Sequence, residues 1–160
     1  MMNKGFFYKK AVEPVFTLIK QGISPEKISL GMACGIILGV FPVLGATTIL
    51  CGMVAIIFRL NLPAIQLVNY MVYPLQLALL IPFFHLGDLL FQVEPLPLSA
   101  QELIALLRSD LWGTIRAFWG TTLHAIVAWL LVSLPAFFIL HFVFVRFIKA
   151  LSFAKIGVQS

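Results

Sequence analysis

The residues of this 160-residue chain best suited to chemistry lie in a short connector, Arg59-Leu60-Asn61-Leu62-Pro63, with Asn69 two helical turns farther on. A guanidinium grips a phosphate or carboxylate through paired hydrogen bonds, and side-chain amides complete such an anion site beside unwound backbone. Arg59, Asn61 and Asn69 are therefore the candidate substrate-binding residues. The plainer reading of the connector is structural: Arg59 snorkels to lipid headgroups and Asn61 caps a helix that opens at Leu62-Pro63. Gln66, Asn69 and Gln76 stand in apolar surroundings, where an amide facing lipid is costly, so they are expected to face protein or a wet cavity.

Other polar groups offer less. His85 and Asp88 are three residues apart and could share a helix face, as a proton relay or half of a metal site would need. No third ligand is spaced to join them, so an interfacial pair is expected, with His124 and His141 as isolated packing residues. Cys34 and Cys51 lack metal-ligand spacing and read as small buried residues. Neither a metal nor another cofactor is expected. With no Ser-His-Asp set, no paired carboxylates and no phosphate-cradling loop, a binding or structural protein is expected ahead of an enzyme, one acting on lipid being the remaining enzymatic option.

What must position these residues follows from hydropathy. The chain is 61% hydrophobic with a mean hydropathy of +1.05, more apolar surface than a soluble core of this size buries. Uncharged runs cover Ile28–Phe58, Leu60–Gly87 and Ala117–Val145, each longer than the roughly 20 residues that span a bilayer. The net charge of +5 comes from basic residues flanking these runs, which points to anionic lipid headgroups as partners and away from nucleic acid. Lys9, Lys10 and Glu13 interrupt the stretch that a secretory signal would keep apolar, so no cleaved signal is expected.

The runs carry breakers. Gly31, Gly35 and Gly39 recur every four residues and place a close-packing strip on one helix face, and Gly45 follows Pro42. Unbroken, Ile28–Phe58 would reach roughly 46 Å, so a break at Pro42 is expected, giving either a bent span or a re-entrant hairpin. Pro74 occupies the corresponding place in the second run, a pairing that points to an internal repeat with a site where the breaks meet. Pro135 interrupts the third, as a hairpin or a single tilted span.

The expected fold is all-α: a polytopic helical membrane protein with Pro/Gly-broken, re-entrant or bent helices and short interfacial helices. Residues 1–160 form one membrane domain, with an interfacial helix at 11–23, a broken hairpin or span at 28–58 and a broken apolar segment at 62–91. A second interfacial helix at 99–108 and a C-terminal membrane segment or hairpin at 111–148 complete it. Positive residues prefer the cytoplasm, which places the amino terminus there. If all three runs fold back, the positions after Arg59, near Pro95 and after Lys155 share the cytoplasmic side.

Ser24-Pro25-Glu26-Lys27-Ile28 leading into the run from Gly31 through Pro42, then Gly45, then Arg59-Leu60-Asn61-Leu62-Pro63-Ala64, resembles the bacterial membrane proteins grouped as domain of unknown function 2062. The likeness continues more weakly to Phe118-Trp119-Gly120; where that family often has an Asn-Pro pair, this chain has Tyr73-Pro74. The resemblance implies a multi-pass protein of the bacterial inner membrane and no particular reaction. The function expected from the residues is binding or translocation of a lipid-linked or small anionic substrate at paired broken helices. The alternative is an assembly subunit that packs through its glycine face on another copy or another membrane protein.

Overall fold

The computed structural model describes residues 23–93 and 108–156. Four helices account for nearly all of them: α1 (Pro25–Gly39), α2 (Ala46–Ile57), α3 (Leu62–Phe91) and α4 (Leu111–Ile156). Among the described residues there is no strand, in line with the all-α expectation. The expected interfacial helices fall almost wholly on residues 11–22 and 99–107, which lie outside the described residues.

Each start and stop has a local cause. Ser24 caps α1, its hydroxyl accepting from the Lys27 amide at 3.4 Å, with Pro25 in the first turn and Glu26 at the positive dipole end. The chain leaves α1 at Val40, turns through Pro42, and enters α2 from Gly45, whose φ of +85° suits a residue without a Cβ. At the other end of α2 the Leu60 amide donates to the Ala55 carbonyl at 2.8 Å and the Arg59 amide to that of Ile56 at 3.3 Å, closing a Schellman motif. Arg59 holds its left-handed position, with φ of 51°.

Contacts fix the directions. Cys34 on α1 and Cys51 on α2, equally far from the turn, share a buried apolar cluster with Ala55 and Ile65, so α1 and α2 are antiparallel. Gly35 meets Val68, Gly39 meets Asn69 and Val72, and Phe41 meets Gln76, so α3 runs parallel to α1. The α4 helix returns antiparallel to both, with Trp129 against Ile37 and Lys149 against Glu26. A second apolar cluster, Val40, Phe83, Ala125 and Trp129, joins α1, α3 and α4 just beyond the α1 tip.

Dimensions follow from the helical rise. The α1 and α2 helices are about 22 and 18 Å long, whereas α3 is about 45 Å and α4 about 69 Å. The α3 and α4 helices are long and apolar enough to cross a bilayer, and only 17% of the most apolar window of each is buried within the protein. That is opposite to the pattern of a core helix in a water-soluble fold.

Two expectations are corrected. The expected break at Pro74 is absent: α3 continues through both Pro74 and Pro82, and α4 continues through Pro135 to Ile156, so neither run folds back. A proline removes one backbone donor, which a long helix tolerates. The chain reverses at Pro42 because Gly39 and Gly45 flank it and Gly45 supplies the left-handed residue; Pro74 and Pro135 have no such neighbours. Consequently Pro42 and Pro74 do not form a pair of breaks, and the ends of α3 are far apart. The second correction concerns the glycine strip: Gly35 and Gly39 pack closely, as expected, but on α3 of the same chain, whereas a Cβ at Gly31 or Gly45 would meet nothing within 4 Å, so neither marks a close approach.

At the polar end of α1 the Lys149 ammonium lies 2.7 Å from the Glu26 carboxylate, both about half exposed. Lys149 holds the Glu26 carboxyl below its usual range, chiefly through the hydrogen bond. The contact therefore contributes above that usual range and is lost as pH falls through the lowered value, a small effect for so exposed a pair.

Glycine substitutions should separate by position. A Cβ at Gly87 would lie 2.5 Å from the His124 carbonyl carbon, and one at Gly35 would lie 2.9 Å from Val68, whereas one at Gly31 meets nothing within 4 Å. Gly87→Ala and Gly35→Ala are expected to destabilise by about 1–3 kcal/mol. Gly31→Ala should be neutral or stabilising by up to about 1 kcal/mol. Thermal unfolding of the detergent-solubilised chain ranks the three.

Candidate functional site

The turn between α1 and α2 leaves backbone carbonyls that no helix satisfies, and two side chains from neighbouring helices reach them. Gln76 donates its Nε2 to the Phe41 carbonyl at 2.8 Å, and Trp129 donates its indole N–H to the Ile37 carbonyl at 3.2 Å. The Phe41 ring meets Trp129 edge-on, with centroids 4.9 Å apart at 88°. About two turns below Gln76, Asn69 donates to Gln66 at 3.2 Å, and Gln66 donates to the Thr48 carbonyl on α2 at 2.8 Å. Asn69 and Gln76 are only 3% and 1% exposed, so these amides face protein, as expected. On its other side the turn opens outward at Leu44, which is 52% exposed.

Arg59 and Asn61 sit at the opposite, open end of the hairpin. Asn61 caps α3, its Oδ1 accepting from the Ala64 amide at 3.0 Å, with Pro63 in the first turn. Its side-chain oxygen is thereby committed to the fold. Arg59 is exposed, in a left-handed conformation that costs a non-glycine residue about 1–3 kcal/mol and recurs at functional positions. Asn69 lies eight residues along α3 from Asn61, about 12 Å of helical rise. The structure brings Arg59 and Asn61 together at one level and places Asn69 in the amide tier below the turn; the three do not converge on one point.

The sequence profile of the family described as uncharacterized protein conserved in bacteria (DUF2062) matches residues 14–155, well over half of the chain. The chain belongs to this family. No curated protein and no solved structure matches it. The glycine-proline run and the Arg-x-Asn-x-Pro connector that carry the likeness are one physical unit in this DUF2062 chain: the first makes the α1–α2 hairpin, and the second closes it and caps α3.

A polar pair of this DUF2062 chain escaped the sequence reading. Asp88 does not pair with His85, which is exposed; it faces His124 of α4, with Asp88 Oδ1 3.7 Å from His124 Nδ1. Both atoms are buried without a hydrogen-bond partner. The cause is Gly87, where α3 and α4 approach so closely that their backbones leave no room for a Cβ. Phe91 stacks on the imidazole, with centroids 4.2 Å apart and planes 16° from parallel. The signal available in sequence was a glycine beside an acid in one long apolar run and a histidine in another, which says nothing of register.

Replacing Gln76 with Leu keeps the side-chain bulk and removes the donor from the Phe41 carbonyl. The expected loss is about 1–3 kcal/mol, the cost of a buried acceptor left alone, with faster amide exchange confined to residues around the turn. Asn61→Ala should cost about 1 kcal/mol and loosen only the first turn of α3. Hydrogen exchange by mass spectrometry distinguishes the two.

Proposed function

We propose that this protein is a multi-pass component of the bacterial inner membrane that binds or translocates, without catalysing a reaction, a small anionic or lipid-linked substrate at its α1–α2 hairpin. One observation carries the reading: α1 and α2, about 22 and 18 Å long, are each too short for a hydrocarbon core of about 30 Å, yet they lie beside helices long enough to cross it. On this reading the hairpin enters from one side, turns at Pro42 beside the middle of α3 and returns to the same side. Backbone without helical partners is tolerated at membrane depth only against protein or a water-lined space. Gln76 and Trp129 cover the turn from one side, and Leu44 and Gly45 are exposed on the other.

Arg59 marks the side of entry. Lys27, Arg59, Arg146 and Lys149 gather at that end, opposite Arg108 and Arg116, which favours the cytoplasm. The exposed guanidinium on a strained backbone supports a role in gathering an anionic headgroup, with Asn61 and Asn69 shaping the hairpin around it. The competing reading is an assembly subunit bound to membrane lipids and to another copy or another membrane protein. It is favoured by the use of the Asn69 and Gln76 donors inside the chain.

Single cysteines in a background lacking Cys34 and Cys51 test both the topology and the site. Arg59→Cys and Lys149→Cys should react with an impermeant thiol reagent from the cytoplasmic side, and Val93→Cys from the outside only. Labelling of all three from one side would sink the two-crossing arrangement. Leu44→Cys should react from the Arg59 side, and short-chain phosphatidic acid should slow that reaction several-fold. The protection should vanish in Arg59→Gly, which also relieves the left-handed backbone and so should fold at least as well as the parent. A Leu44→Cys that stays unreactive where Arg59→Cys labels would leave the assembly reading.

A further inference from the structure

The hairpin makes no use of the acid and the base that meet at the α3–α4 crossing. Asp88 is the sole acidic residue of α3, and its side chain is 6% exposed. It lies in the last turn of that helix, where the aligned peptide dipoles are negative, and its backbone carbonyl already accepts from Val93 at 3.1 Å. Burial, an unpartnered Oδ1 and the dipole all make a bare carboxylate costly there, so positive charge or a proton must face it.

His124 is the group that faces it. Its Nδ1 is buried and has no hydrogen-bond partner, and two lone pairs opposed at 3.7 Å would repel. A proton on Nδ1 turns the repulsion into an N–H donor aimed at Asp88, and an approach of several tenths of an ångström makes it a hydrogen bond. Phe91 fixes the ring plane by stacking on it, and the His124 side chain as a whole is 23% exposed although Nδ1 is buried. The outward part of the side chain therefore excludes Nδ1. The other titratable or charged groups nearest in register, among the described residues, are His85, one turn earlier on α3, and Arg116, two turns earlier on α4, both exposed. The α1 helix approaches this level with Val40, which packs with Phe83 and Ala125, and brings no titratable group.

We propose that Asp88 and His124 form a proton-handling site at the α3–α4 crossing, in which Asp88 holds a proton on His124 Nδ1 and leaves Nε2 as an accessible basic nitrogen. The Nε2 lone pair takes a proton from water, giving an imidazolium beside the Asp88 carboxylate, and returns the same proton when the site discharges. No bond between heavy atoms changes. Asp88 is the positioning residue: it selects the tautomer, as a carboxylate does for an imidazole wherever the two are hydrogen-bonded, and it carries the balancing charge.

The test uses the full chain in lipid nanodiscs with 15N-labelled histidine. The chain has three histidines, and His124 is assigned by the signal lost in His124→Gln. The expected result is a His124 ring proton on Nδ1, and in Asp88→Asn a switch toward the Nε2-protonated form that free imidazole favours. Asp88→Glu should retain the Nδ1 proton. A neutral His124 in the parent chain with its ring proton on Nε2 and none on Nδ1 would falsify the proposal whether or not the variants fold. Acylation by diethyl pyrocarbonate, mapped by mass spectrometry, tests the outward nitrogen. His124 should react, and more slowly in Asp88→Asn, with exposed His85 as the internal standard. A proton on Nδ1 combined with a His124 that never reacts while His85 does would overturn it in favour of a packing pin.

Discussion

A helix that stops inside an apolar bundle leaves carbonyls without helical partners, and the arrangement of this chain around that constraint explains the amides buried beside the turn. The α1 helix ends at Gly39, and the backbone beyond it has too few internal donors. Gln76 from α3 and Trp129 from α4 supply them at the Phe41 and Ile37 carbonyls, so the hairpin depends on two helices distant in sequence. An amide or indole N–H in such surroundings is itself costly unless paired. Donor and acceptor thus make each other tolerable, and the turn is held at one height along α3.

Close approach is the second requirement, because Gln76 can reach Phe41 only if α1 lies tightly against α3. Gly35 and Gly39 remove the side chains that would hold the helices apart, and Asn69 lies against Gly39 with its own donor passed to Gln66. The glycine strip and the amide tier are therefore parts of one joint. Had the glycines faced outward, the chain would offer a ready surface for a partner; as folded, it uses that surface for itself.

The long α3 helix also separates two polar regions. The Arg59 end carries exposed positive charge on a strained turn, and the far end buries Asp88 against His124. From Arg59 to Asp88 the helix rises about 40 Å, so the two lie near its opposite ends. A continuous α3 is what makes them distinct; a chain folded back at Pro74 would have brought them to one side.

The sequence by itself determined the helical class, the apolar runs and the local punctuation. Ser24 and Asn61 are caps, and Pro42 between Gly39 and Gly45 is a helix break, because these depend on neighbours a few residues away, whereas the packing of α2 back on α1 made that break a reversal. The inward placement of Asn69 and Gln76 was legible for a similar reason, since an amide in lipid is costly wherever the fold puts it. Tertiary structure decided the rest. Whether Pro74 breaks a helix depends on whether the surrounding bundle and the absence of a left-handed residue keep the helix going, and proline alone does not settle it. Which side chain meets Asp88 depends on the register of two helices crossing at Gly87, and no spacing within either helix encodes that register. Arg59, Asn61 and Asn69 look like one site along the chain; helical rise pulls Asn69 away and leaves Arg59 exposed at the mouth of the hairpin.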